Sequence, residues 1–129
     1  MGRLVAAGAV VYDQLDFYNP PGSVTRAPNV VIANLSLTSF INNSLASFVL
    51  ADGSTIPDSS VTSGTVYFHE IPSATGFYSI RFFPSQVGFW RLVFRHAAFG
   101  VEIIKEYDML AAGALKPTSS SGLNASFTP

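Results

Sequence analysis

His69 and His96 are the only histidines in the chain, and there is no cysteine. Disulfides, thiolate metal sites and thiol nucleophiles are therefore excluded. A histidine metal site needs convergent partners such as a nearby carboxylate. Glu70 adjoins His69, but neighbouring residues of a strand point to opposite faces. His96 falls in period-two register with Trp90, Leu92 and Phe94, so it reads as a packing histidine at a strand end. Glu102, Glu106 and Asp108 share one face of a later strand, and Arg81, Arg91 and Arg95 share one face of the two strands before it. If these strands are neighbours, the result is a cross-strand ladder of opposite charges, contributing about 0.2–1 kcal/mol per pair. Such a ladder is a solvated charged face or an interface patch rather than an acid/base pair.

The serines offer no nucleophile elbow, because none sits in Gly-x-Ser-x-Gly. No glycine-rich phosphate loop occurs either. Asp52-Gly53-Ser54 lacks the alternating acids of a calcium loop. The Asn-x-Ser matches at Asn34, Asn42 and Asn124 read as chance in a Ser/Asn-rich chain. No catalytic, metal or cofactor-binding residue is assigned, and the chain reads as non-enzymatic.

Composition points the same way. Of 129 residues, 48% are apolar and only 12% charged, about half the usual charged share. Such a surface suits a subunit that buries area against neighbours. A net charge of −1 provides no basic excess for phosphates, so nucleic acid is not an expected partner. No apolar run reaches the roughly 18–20 residues of a membrane helix, and no membrane partner is expected. Leu4–Tyr12 reads as a first strand or ordered arm rather than a signal segment, since its Ala7-Gly8-Ala9 triplet lies inside the apolar run.

The elements that must carry these residues are strands. Residues 1–28 read as an N-terminal strand followed by a long loop or arm. Pro20, Pro21, Gly22 and Pro28 exclude a helix or central strand there, and Phe17 and Tyr18 are its aromatic anchors. Asn29–Asn42 alternates, with Leu35 and Leu37 opposite Ser36 and Thr38. Further strands are expected at Leu45–Leu50, Val61–Ile71, Phe77–Phe83, Phe89–His96 and Val101–Met109, separated by Asp52-Gly53, Pro72, Pro84, Gly88 and Gly100. About seven short strands with turn residues roughly every ten positions predict an all-β sandwich over residues 29–110. Tyr78, Ile80 and Phe82 are expected to face Trp90, Leu92 and Phe94 across a hairpin. Residues 111–129, rich in Ser and Thr, read as a C-terminal arm anchored on a neighbouring chain by Leu123 and Phe127.

Within Gly64–Met109, the positions Gly76, Tyr78, Ile80, Phe82, Pro84, Gly88, Trp90 and Leu92 form a pattern that resembles immunoglobulin-like or transthyretin-like β-sandwich modules of tailed-phage virion structural proteins. The preceding Leu50–Val66 resembles the two-strand lead-in of such modules, and with it the resemblance covers about half of the chain. It implies an Ig-like sandwich and localisation in the virion. It further implies the role of a capsid decoration or cement protein bound through its arms to major capsid protein, or of a neck, tail or baseplate subunit. Other virion proteins and copies of the chain itself would be the partners. A fold motif does not fix activity. The alternative is a carbohydrate-binding or adhesin-like sandwich, with Tyr67, Phe77 and Phe89 as the exposed aromatics.

Overall fold

A computed structural model of the chain describes residues 2–111, apart from Asn19 and Pro21. The expected C-terminal arm, with Leu123 and Phe127, lies outside these residues. Among the described residues, nine strands build two packed sheets, β1 (Arg3–Ala6), β2 (Val11–Asp16), β3 (Leu35–Ile41), β4 (Ser44–Ala46), β5 (Val49–Asp52), β6 (Thr65–Glu70), β7 (Phe77–Phe82), β8 (Gly88–His96) and β9 (Val101–Leu110). The five-stranded sheet runs β1-β9-β8-β3-β4, and the four-stranded sheet runs β2-β7-β6-β5. The chain is an all-β, Ig-like sandwich, in which connections repeatedly cross from one sheet to the other.

Period-two alternation makes the core. Leu15, Val66, Phe68, Tyr78, Ile80 and Phe82 point inward from the four-stranded sheet, and Val5, Trp90, Leu92, Phe94, Tyr107 and Met109 point inward from the other. Aromatic rings join them. Phe68 and Tyr78 stack at 5.3 Å, and Phe82 meets Trp90 at 5.9 Å and Tyr107 at 5.1 Å. Two of the last three contacts cross between the sheets, each adding about 0.5–1.5 kcal/mol beyond burial.

The hairpin expected between β7 and β8 does not form. Pro84 removes a ladder donor at the end of β7, and the chain then crosses to the opposite sheet. Tyr78, Ile80 and Phe82 therefore face Trp90, Leu92 and Phe94 through the core instead of across a ladder.

Residues 1–28 are not a strand and an arm outside the sandwich. β1 pairs in parallel with β9, the chain turns at Ala7–Gly8, and β2 pairs antiparallel with β7. The following segment closes on itself through a Tyr18–Arg26 bridge and an Ala27 N–H to Phe17 carbonyl bond of 2.8 Å. Tyr78 ties it to the core, since its hydroxyl donates to the Ala27 carbonyl and accepts the Val30 N–H.

Asn42 and Asn43 both have positive φ, 52° and 66°, and make the two-residue β3–β4 hairpin. Gly88 packs against that turn with φ of 137°, and a Cβ there would lie 2.8 Å from the Asn42 amide nitrogen. Only glycine meets both demands.

Candidate functional site

The two outer faces of the sandwich differ. On the four-stranded sheet, Arg81 points outward yet is buried, because residues 53–60 fold back over it. Its Nη1 donates to Asp58 Oδ1 at 2.9 Å and its Nη2 to the Gly53 carbonyl at 2.7 Å. The Tyr12 hydroxyl donates to the other Asp58 oxygen. Those two hydrogen bonds, Tyr12 first and Arg81 second, hold the Asp58 carboxyl below the usual carboxylate range. The same bond to Asp58 raises the Tyr12 hydroxyl above the ordinary tyrosine value. The sign of the linkage follows. The depressed Asp58 contributes stability above about pH 4 that is lost as pH falls through its folded value, and the raised Tyr12 contributes below about pH 10 and is lost above it. Protection of the Ser60 and Val61 amides, which bond back to Pro57 and Asp58, is expected to stay level between these limits and to fall beyond both. Hydrogen exchange, corrected for intrinsic rates, measures this, and Asp58→Ala is expected to remove the plateau.

The outer face of the five-stranded sheet has no such cover among the described residues. Its rows follow from the register. Arg91 pairs with Glu106, Val93 with Ile104, and Arg95 with Glu102. Arg91 reaches Glu106 at 3.1 Å, and Arg95 also pairs with Glu102. On β3, Phe40 stands beside Arg91 and Thr38 beside Val93. Leu45 extends the row of Phe40 onto β4, and Leu4 stands beside Asp108 on β1. Ile104, Leu4 and Leu45 are 52%, 56% and 74% exposed. A shallow depression of about 290 Å³ lies among Thr38, Phe40, Arg91, Val93, Arg95, Glu102 and Ile104. The face thus sets an apolar row, Val93 and Ile104, between two ion pairs.

A second depression, of about 420 Å³, is lined by Asn29–Ile32, Asp52, Ser54, Phe68, His69 and Glu70. Its acids are occupied. Asp52 accepts the Ser54 N–H and hydroxyl, each at 3.0 Å, and Glu70 accepts the Asn29 N–H at 3.2 Å and the Gly76 N–H at 2.7 Å. These carboxylates hold turns. His69 Nδ1 is buried without a hydrogen-bond partner among the described residues. Burial, then Arg81, lowers the His69 pKa against the opposing pull of Asp52. Among the described residues, no three His, Asp or Glu side chains gather with metal-ligand geometry.

Phe17 is the clearest departure from the expected anchors. It is 1% exposed and packs edge-on against Phe68 and Tyr78, so it belongs to the core and is no surface anchor. Tyr18 is half-buried, with the Arg26 guanidinium 5.3 Å from its ring. Leu123 and Phe127 lie outside the described residues. His96 is buried, stacks on Phe99 at 3.9 Å and accepts the Phe99 N–H at Nδ1. Arg91 and Arg95 form the expected ladder, but Arg81 does not, because β7 belongs to the other sheet. Tyr67 and Phe77 stand on one outer face and Phe89 on the opposite one, so the three build no common sugar platform. Arg26 also covers the Phe77 ring at 3.9 Å. The exposure of Leu4 and Leu45 beside the ladder escapes sequence reasoning, because it depends on β1 and β4 being sheet edges.

The sequence matches no protein-family model and no curated protein. Among solved structures it is similar to titin M4 in a trigonal crystal form, with 10% identity, a TM-score of 0.37 and 85% of each chain covered. No helix among the described residues is long and apolar enough to cross a membrane.

Proposed function

We propose that this chain is a non-enzymatic structural subunit of a larger assembly, docked to its neighbours through the outer face of the five-stranded sheet. The observation that carries the reading is the contrast between the faces. One is covered by residues 53–60 over Arg81, while the other sets Val93 and the exposed Ile104 between two Arg–Glu pairs, with half-buried Phe40 and exposed Leu45 and Leu4 beside them. The low charged share of the sequence, 12%, fits a surface that finds company. A tailed-phage particle is the setting that the sequence resemblance implies, with capsid decoration as the first role and a neck, tail or baseplate position as the second. Virion proteins and further copies of the chain are the partners, with the arm read from the sequence at 111–129 as a further contact.

Binding to particles assembled without the chain tests this. Ile104→Asp is a surface change expected to alter folding stability by no more than about 0.5 kcal/mol. It is nevertheless expected to reduce particle occupancy strongly, and removal of residues 117–129 is expected to reduce it as well with the fold intact. Full occupancy by both variants would refute the proposal.

A further inference from the structure

We infer that the partner of the five-stranded face is a second copy of the same face, related by a two-fold axis lying along the strands between β8 and β9. The inference rests on the docking reading above and names its occupant. The evidence is the order of charge. Both arginines of the patch, Arg91 and Arg95, are on β8, both glutamates, Glu102 and Glu106, are on β9, and Val93 and Ile104 fill the row between the two pairs. A face-to-face copy turned about an axis along the strands lays β8 over the partner's β9. Arginines then meet glutamates at both ends, and Val93 meets Ile104 in the middle. Turning the copy about an axis across the strands sets arginine on arginine and glutamate on glutamate, which costs about a hundredfold or more in affinity. Charge therefore selects one of the two in-plane orientations.

The apolar surface agrees. The favoured turn brings Phe40 on β3 beside the other copy's β1 edge, where Leu4 is exposed. Nearly parallel strand directions in the two facing sheets are the aligned packing that sandwiches use internally. An axis between β8 and β9 overlaps four strands of each copy, roughly 19 Å at about 4.8 Å spacing. The buried area falls near the lower end of specific interfaces, so a reversible dimer is expected rather than a permanent one. The same patch serves both partners, as closed two-fold symmetry requires.

Sedimentation equilibrium on the full chain, from about 1 μM to 1 mM, is expected to show a monomer–dimer equilibrium. The double variant Arg91→Glu/Arg95→Glu is expected to dimerise about a hundredfold more weakly, and so is Glu102→Arg/Glu106→Arg. An equimolar mixture of the two is expected to recover association, a result that misfolding does not produce. Orientation is read by cysteine cross-linking, which is clean because the chain has no cysteine of its own. Val93→Cys mixed with Ile104→Cys is expected to form mixed disulfide dimers faster than either alone forms its own. A wild-type chain that remains monomeric, reversal variants that dimerise like wild type, or like-with-like cross-links that dominate would each overturn the pairing. If the monomer result is joined by loss of Ile104→Asp from particles, the pairing fails while the docking face stands.

Discussion

Phe17→Ala is expected to lower the unfolding free energy by about 3–5 kcal/mol, the usual cost of emptying a buried phenylalanine site. Melting should shift down by roughly 10–20 °C. The ring is 1% exposed and lies 5.7 Å from Tyr78, 5.8 Å from His96 and 6.4 Å from Phe68. Those partners come from both sheets, so the site has little freedom to collapse. Tyr18→Ala, one residue on, removes a half-buried ring and is expected to cost about 1 kcal/mol or less. Thermal or urea unfolding of the isolated chain separates the two. Equal and small effects would mean that Phe17 is a surface group and that the 17–27 segment does not close the core.

The second large effect is expected at Asp13. Its carboxylate accepts the hydroxyl of Tyr107 at 2.7 Å and lies 3.8 Å from both Arg3 and Lys105. Tyr107 has no exposed surface, and burial first, then the bond to Asp13, raises its pKa far above the ordinary value. Asp13→Ala strands that hydroxyl and leaves two cations facing each other. A loss of about 2–3 kcal/mol is expected. Tyr107→Phe keeps Asp13 beside its cations and is expected to cost about 1 kcal/mol. The double variant should cost no more than Asp13→Ala alone, because it also removes the stranded hydroxyl. Additive losses in this cycle would show that the hydroxyl and the carboxylate are energetically independent. Alkaline titration offers a further check. The raised Tyr107 contributes stability below about pH 10 that is lost as pH climbs toward its folded value.

Asp13 also shows why the amino-terminal part was hard to read. Along β2 the inward positions are Val11, Asp13 and Leu15, so the apolar alternation is broken by a charge whose partners sit on β1 and β9. No local pattern announces a charge that points inward to meet residues about ninety positions away. The prolines at 20, 21 and 28 then made the whole stretch resemble an open connection. Where local and global signals agree, as at Tyr78-Ile80-Phe82 and Trp90-Leu92-Phe94, both the strands and their buried faces were legible. The site was legible in part. The spacing of Arg91, Arg95, Glu102 and Glu106 foretold the ladder, since a tight turn at Gly100 makes β8 and β9 antiparallel neighbours. Arg81 has the same spacing and a different fate, because the crossing after Pro84 is a matter of topology that period-two patterning does not encode. The Asn42–Asn43 turn was missed for a simpler reason. Two asparagines tolerate positive φ, but without a glycine they read as the tail of a strand.

The parallel pairing of β1 with β9 sets how this domain would respond to pulling. β1 enters alongside Tyr107 and leaves alongside Leu110, where β9 also ends. A tensile load entering at Gly2 and leaving at Ala111 drags the two strands past one another lengthwise. Their ladder bonds, and the Ala7 N–H to Leu110 carbonyl bond of 2.8 Å, must then yield together instead of unzipping singly. Rupture along that axis is therefore expected to need a higher force than peeling the same bonds one at a time, which single-molecule extension measures.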